Sequence, residues 1–214
     1  MRKDGAIAKR EGHRFEALLA EKIGYEIDGG SMTKVDIYGK YRMSIKNAAG
    51  GSTQVYLVTQ DRFIEALNIK STKFVREFFG GDTVSEYPRH RKTLSDFSPE
   101  ESSEFLNELN NKLPELFDII FVKGYGQRGA VDVLGWAHTK NDVDSVKYYD
   151  LAKIKKDFVK SKWEFNETTL HLRVNGKTLV HLQMKGSGKK YTNMYHGVLF
   201  HLHGHFRSEW NITI

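Results

Sequence analysis

The strongest constraint in this chain is residues 33–46, Thr-Lys-Val-Asp-Ile-Tyr-Gly-Lys-Tyr-Arg-Met-Ser-Ile-Lys, where two alternating segments flank a glycine-containing turn. The pattern predicts a β-hairpin with Asp36 ending one strand and Ser44 and Lys46 on the other. Side chains on a strand alternate faces, so Ser44 and Lys46 share a face, which Asp36 joins only across an odd-length loop. A three-residue loop over 38–40 pairs Ile37 with Tyr41 and sets Asp36 opposite Arg42. A two-residue loop at Gly39 and Lys40 sends Asp36 to the face of Met43 and Ile45. A carboxylate and an amine on one face can hold a metal ion and a water beside a phosphate. The hairpin can therefore be a site only with the odd loop, or with a bulge that has the same effect.

At 214 residues the chain fits one domain, 1–214, with an insertion, and can bury a hydrophobic core without staples. Cysteine is absent, which excludes disulfides and thiolate metal sites and suits a reducing cytoplasm. No apolar run reaches the ~18 residues of a membrane span, and Met-Arg-Lys-Asp-Gly-Ala leads into no signal core, so a cytoplasmic protein without membrane insertion is expected. Lys plus Arg exceed Asp plus Glu by 33 to 27, and the resulting +6 favours a polyanionic partner, nucleic acid first.

Ahead of the hairpin, residues 10–23 place Phe15, Leu18, Leu19 and Ile23 at helical spacing, with Gly24 as a stop signal. Glu16 lies beside that apolar stripe and can point along the hairpin edge toward Asp36, or be a solvated helix carboxylate. After the hairpin, 53–59 suits a strand or a helix capped by Ser52; 61–67 and 71–79 look helical. Ser98-Pro-Glu-Glu is a helix start, running to about Leu113. Residues 117–122 suit a buried strand or a helix end, 130–137 carries Val131-Asp132 with Asp132 read as structural, and 151–159 is a lysine-rich helix. Asn175-Gly176 is a hairpin turn between strands 170–174 and 178–184, and 197–203 and 210–214 are further strands. The fold class is α/β or α+β, a central mixed sheet flanked by helices, with a helical insertion at about 60–115 and a β-rich part at about 163–214.

Two basic loops are candidate nucleic-acid contacts. Tyr87-Pro-Arg-His-Arg-Lys offers Arg89, Arg91 and Lys92 for phosphates or base edges, and is otherwise a solvated charged loop. Lys185-Gly-Ser-Gly-Lys-Lys offers Lys185, Ser187, Lys189 and Lys190. It is not a nucleotide-binding P-loop, because Gln183 stands where the leading glycine belongs and Lys190 replaces the magnesium-holding hydroxyl. Gln54, just after the hairpin, joins this set.

Phosphodiester hydrolysis needs a metal ion to polarise the phosphate and acidify a water, plus a positioned base or cation. Hard oxygen ligands suit Mg2+, which takes few carboxylates and keeps several waters. Asp36 is the obvious ligand, and Lys46 would orient the water or stabilise developing charge. A helix glutamate, then Thr33-Lys-x-Asp36, then x-x-Lys46 resembles the core of the PD-(D/E)XK nucleases, as found in type II restriction endonucleases. The resemblance covers roughly residues 11–70 and implies a restriction-endonuclease-like core. It also implies Mg2+-dependent, site-specific cleavage of double-stranded DNA, commonly by a homodimer. Ser44 stands where the family usually has an acid two residues before the lysine. Some members take that acid from a helix, so Glu16 or Glu65 is expected to fill the place. The expected catalytic residues are thus Asp36, Lys46, Glu16, Ser44 and Glu65, with Asp36 and Glu16 on the metal. A homing, repair or junction-resolving nuclease uses the same core, and a DNA- or RNA-binding protein without catalysis is the reading that the serine favours. Gln183-Met-Lys185 is a weaker placement of the lysine motif. His201, His203 and His205 alternate, with His196 nearby, and suit a polar or DNA-contacting sheet face, a zinc site or bases.

Overall fold

The computed structural model describes residues 2–28, 34–48, 51–80, 92–124, 129–184 and 197–214. They form a mixed α/β protein with two multi-stranded sheets, which divides into two units. The first unit is Met1–Thr53, Phe117–Asp157 and Gly204–Ile214; the second is Gln54–Leu116 and Phe158–His203.

In the first unit, helix α1 runs from Arg2 to Ile23, starting earlier than the expected residue 10 because Ala6, Ala8 and Lys9 are good helix formers. Gly24, at φ 70°, ends it: Tyr25 N–H donates to the Ala20 carbonyl (2.9 Å) and Gly24 N–H to that of Glu21 (3.3 Å), the bonding of a left-handed glycine cap. Phe15 and Leu19, one turn apart, are buried, whereas Leu18 is 45% exposed, so the stripe is narrower than the spacing suggested. Strands β1 (Glu26–Ile27), β2 (Ile37–Tyr38), β3 (Arg42–Lys46), β4 (Ser52–Thr59, which passes into the second unit), β5 (Val133–Ala137), β6 (Val146–Asp150) and later β11 (Asn211–Ile212) follow. The sheet order is β1-β2-β3-β5-β6-β11, with β3 and β5 parallel and the other pairs antiparallel. Phe15, Leu19 and Ala20 pack on Ile37, Met43, Ile45 and Val133. Residues 117–122 are helical, finishing α5 (Leu113–Phe117) and continuing as a π turn, Asp118–Val122; α6 is Leu151–Phe158.

The second unit holds α2 (Gln60–Leu67), α3 (Thr72–Gly80) and α4 (Pro99–Asn110) with strands β7 (Lys162–Asn166), β8 (Thr169–Val174), β9 (Lys177–Met184) and β10 (Gly197–His203). Residues 53–59 are strand and not helix; the cap of α2 is Thr59, whose hydroxyl accepts from Arg62 N–H. Ser98 and Glu101 form a reciprocal capping box on α4, which ends at Asn110, earlier than the expected Leu113. The sheet β4-β10-β9-β8-β7 is antiparallel between β10 and β7. Asn175 (φ 51°) and Gly176 (φ 76°) are both left-handed, the conformation that a two-residue hairpin turn demands. Leu170, Leu172, Val180, Leu182, Phe200 and Leu202 are buried on one face, where Phe63 of α2 meets Phe200 at 6.2 Å. The helices expected as an insertion thus share a unit with the C-terminal strands. Residues 210–214 give only the short β11, because Ser208–Trp210 turns as a 3-10 helix. No helix among the described residues is long and apolar enough to cross a membrane.

Candidate active site

The hairpin fixes the site through its register. Ile37 pairs with Met43 and Tyr38 with Arg42, leaving Gly39, Lys40 and Tyr41 as the loop. The loop is odd, as the site requires, but lies one residue later than 38–40, so Arg42 faces Tyr38 and not Asp36. Arg42 is instead held by Asp132 of the neighbouring chain segment, its Nε and Nη2 donating at 2.9 and 2.7 Å and its N–H at 3.2 Å. A one-residue slip would turn Ile37 and Met43 out of the core, whereas this two-residue change in pairing leaves every face intact. Asp132 is structural in this geometry.

Asp36 sits just before β2, at an irregular point of the ladder. Its N–H donates to the Met43 carbonyl (2.7 Å), and its carboxylate takes the place of a backbone acceptor for Ile45 N–H, 2.6 Å from Oδ2. The Ser44 hydroxyl donates to the same oxygen at 3.2 Å, and Lys46 Nζ lies 3.7 Å from it while donating to the Ile45 carbonyl at 3.1 Å. These contacts converge on Oδ2; among the described residues Oδ1 accepts no hydrogen bond.

Glu16, on α1, lies within electrostatic range of this group. Burial, then the negative charge of Asp36, raises its pKa, while His13 and Lys46 pull it back. His13 Nδ1 lies 3.2 Å from Glu16 Oε2, one turn away on the helix. Two carboxylates that repel one another in a half-buried setting are the donor set a divalent cation would relieve. Among the described residues no group of three or more His, Asp or Glu side chains is arranged to hold a metal ion, so this set is a carboxylate pair with the Ser44 hydroxyl beside it. Glu65 is exposed on α2 in the second unit.

Lys34 was not singled out by its motif. Its side chain is buried, and desolvation and the nearby Lys46 ammonium lower it to about 7, with Asp36 acting in the opposite sense. The available signal was its i, i+2 relation to Asp36, which tends to place both side chains on one side of an extended segment.

Of the expected nucleic-acid contacts, Arg89, Arg91, Lys185, Ser187, Lys189 and Lys190 lie outside the described residues, as does His196. Gln54 is exposed on β4. Lys92 is engaged, 2.7 Å from Glu77 and over the Phe97 ring at 5.6 Å. The expected row of His201, His203 and His205 is not one strand face, because β10 ends at His203. His201 stacks instead on His181 of β9, at 4.6 Å and 8°. Parallel rings cannot converge their nitrogens on one ion, which argues against zinc there. Gln183, from the weaker lysine motif, donates through Nε2 to His201 Nε2 (3.0 Å).

No protein-family model matches the sequence, and no curated protein matches it. One solved structure to which the chain is similar is restriction endonuclease MspI in complex with its cognate DNA, with 9% identity, a TM-score of 0.46 and coverage of 82% of this chain. This chain spans 66% of the length of that one.

Proposed function

We propose that this protein is a Mg2+-dependent endonuclease that cuts double-stranded DNA at specific sites, a type II restriction enzyme of the PD-(D/E)XK class, working as a homodimer in the cytoplasm. The observation that carries this reading is the gathering of Asp36, Lys46 and Glu16: an ammonium 3.7 Å from one carboxylate, and a second carboxylate under the charge of the first. Glu16 thus supplies the acid that Ser44 lacks. Asp36 and Glu16 would hold the ion, which lowers the pKa of a bound water and polarises the phosphate. Lys46 would supply positive charge where charge develops on the phosphate, and Ser44 and Ile45 N–H hold the Asp36 carboxylate in place for that role.

The test is incubation of the protein with a plasmid of known sequence in Mg2+, followed by mapping of the ends. Discrete fragments with the wild type, none in EDTA, and none with Asp36→Asn or Lys46→Ala at retained DNA affinity are expected. If no duplex or branched DNA is cut, the nuclease assignment fails. The shortage of a third ligand among the described residues favours one other reading, a nucleic-acid-binding protein without catalysis, in which binding ignores divalent ions and Asp36→Asn has no effect.

A further inference from the structure

The polar face of the second unit's sheet carries four imidazoles from three neighbouring strands. His171 of β8, His181 of β9 and His201 of β10 stand in one cross-strand row. Their rings follow one another at 5.5 Å and 21°, then 4.6 Å and 8°, close to the spacing of the strands themselves. His203 joins diagonally, its Nε2 2.7 Å from His181 Nδ1. Thr169 and Thr178 hydroxyls hold His171 at 2.9 and 3.1 Å, and Gln183 holds His201. Opposite them on the sheet, the apolar residues face the phenylalanine-rich core, while these four histidines remain half-exposed.

The geometry of this row works against charging it. The short contact between His181 and His203 needs one ring to donate and the other to accept, so it holds one proton and not two. Each further proton would set like charges one strand apart. Burial first, then His201, His203 and His171, bring His181 down to about 4; burial also lowers His171 and His201. Among the described residues, the other charged groups on this face are Lys162 and Glu164 of β7 and Arg173 of β8, with Arg173 Nε 3.6 Å from Glu164 Oε2. The described side chains of β4 are uncharged. Two cations against one anion make the face weakly positive, and each proton accepted by the histidines makes it more so.

We propose that this histidine row is a contact surface for the phosphate backbone of nucleic acid and that binding there draws protons onto the imidazoles. The inference rests on the nuclease reading for its choice of partner, and it extends that reading to a surface that the candidate active site does not include. Phosphates supply the negative charge that the row lacks, so they stabilise the imidazolium form and bind most tightly when it is accessible. Sequence-independent grip of this kind positions a duplex without reading its bases.

The sign follows from linkage. A group whose pKa is higher in the complex than in the free protein makes binding tighten as pH falls through the bound value. If one row proton returns to the ordinary histidine value of ~6.5 on binding, affinity at pH 5.5 exceeds that at pH 7.5 by about tenfold. Fluorescence anisotropy with a labelled 30-mer duplex, in EDTA at constant ionic strength, measures this directly. The wild type is expected to show about that gain, and the double variant His181→Asn/His201→Asn to lose most of it. Calorimetry of the wild type in two buffers of different ionisation enthalpy gives proton uptake on binding, and needs no variant to fold. Affinity that is independent of pH, or no proton uptake, overturns the inference and leaves the nuclease reading standing. Absence of duplex binding at any pH overturns both.

Discussion

Glu16→Gln should make the metal-free protein more stable while it disables the site. The Glu16 side chain is 18% exposed, and burial together with Asp36 raises its pKa. A raised carboxylate is one whose ionised form costs the native state free energy, about 1.4 kcal/mol for each pKa unit. Gln keeps the shape and removes the charge, so the variant is expected to be the more stable at pH 7.5, each 1 kcal/mol of gain appearing as about 2–4 °C in Tm for a chain of this size. The His13 contact offsets only a few tenths of this, being an exposed i, i+3 pair worth roughly 0.3 kcal/mol. The pH dependence has a definite sign. Below the unfolded-state pKa, Glu16 is protonated in both states and the two proteins match. As pH rises through the raised native value, the wild type loses stability relative to the variant, and above it the difference is constant.

Mg2+ should then reverse the order. An ion that binds only the native state at a hundred times its Kd adds about 2.7 kcal/mol. Losing one of two carboxylate ligands should weaken binding by at least about the 10–100-fold seen for supporting groups, leaving the variant with about 1.4 kcal/mol or less of that gain. Thermal unfolding of both proteins from pH 4 to 8, in EDTA and in Mg2+, therefore gives curves that cross: the variant is higher without metal and the wild type is higher with it. A variant that is less stable than the wild type in EDTA at pH 7.5, or an equal response of both to Mg2+, would refute the placement of Glu16 beside Asp36 as a metal-binding pair.

Two further substitutions test the framework that holds the site. A Cβ at Gly135 would lie 2.6 Å from Ile45 Cδ1 and 3.5 Å from Val146 Cγ1, so Gly135→Ala should cost about 1–3 kcal/mol in urea unfolding and disturb Lys46's strand. Ser98→Ala removes the acceptor for Glu101 N–H and should cost about 1 kcal/mol without changing cleavage, which separates helix capping in the second unit from the chemistry.

What the sequence could say about the site was parity. The alternation of residues 33–46 required an odd loop for Asp36, Ser44 and Lys46 to meet, and the loop is odd. It could not say which odd loop, because registers that differ by two residues bury the same side chains. In the observed register Asp132, ninety positions from Arg42 along the chain, holds the arginine with its carboxylate, a partner that local pattern does not reveal. The histidines follow the same logic. Along one strand, His201 and His203 look like a row, yet the stacking partner of His201 is His181, across a strand boundary that periodicity alone cannot register. Glu16 shows the converse. Its place beside the apolar stripe was legible because Phe15 and Leu19 fix the face of α1 and Gly24 fixes its end, so the charge beside that face comes within electrostatic range of Asp36. A helix position can be read when its neighbours anchor it locally; a cross-strand contact can be read only once the strands between are ordered. The side of α1 that carries Glu16 could thus be read from the sequence, while the exact partner of Arg42 could not be sought at all.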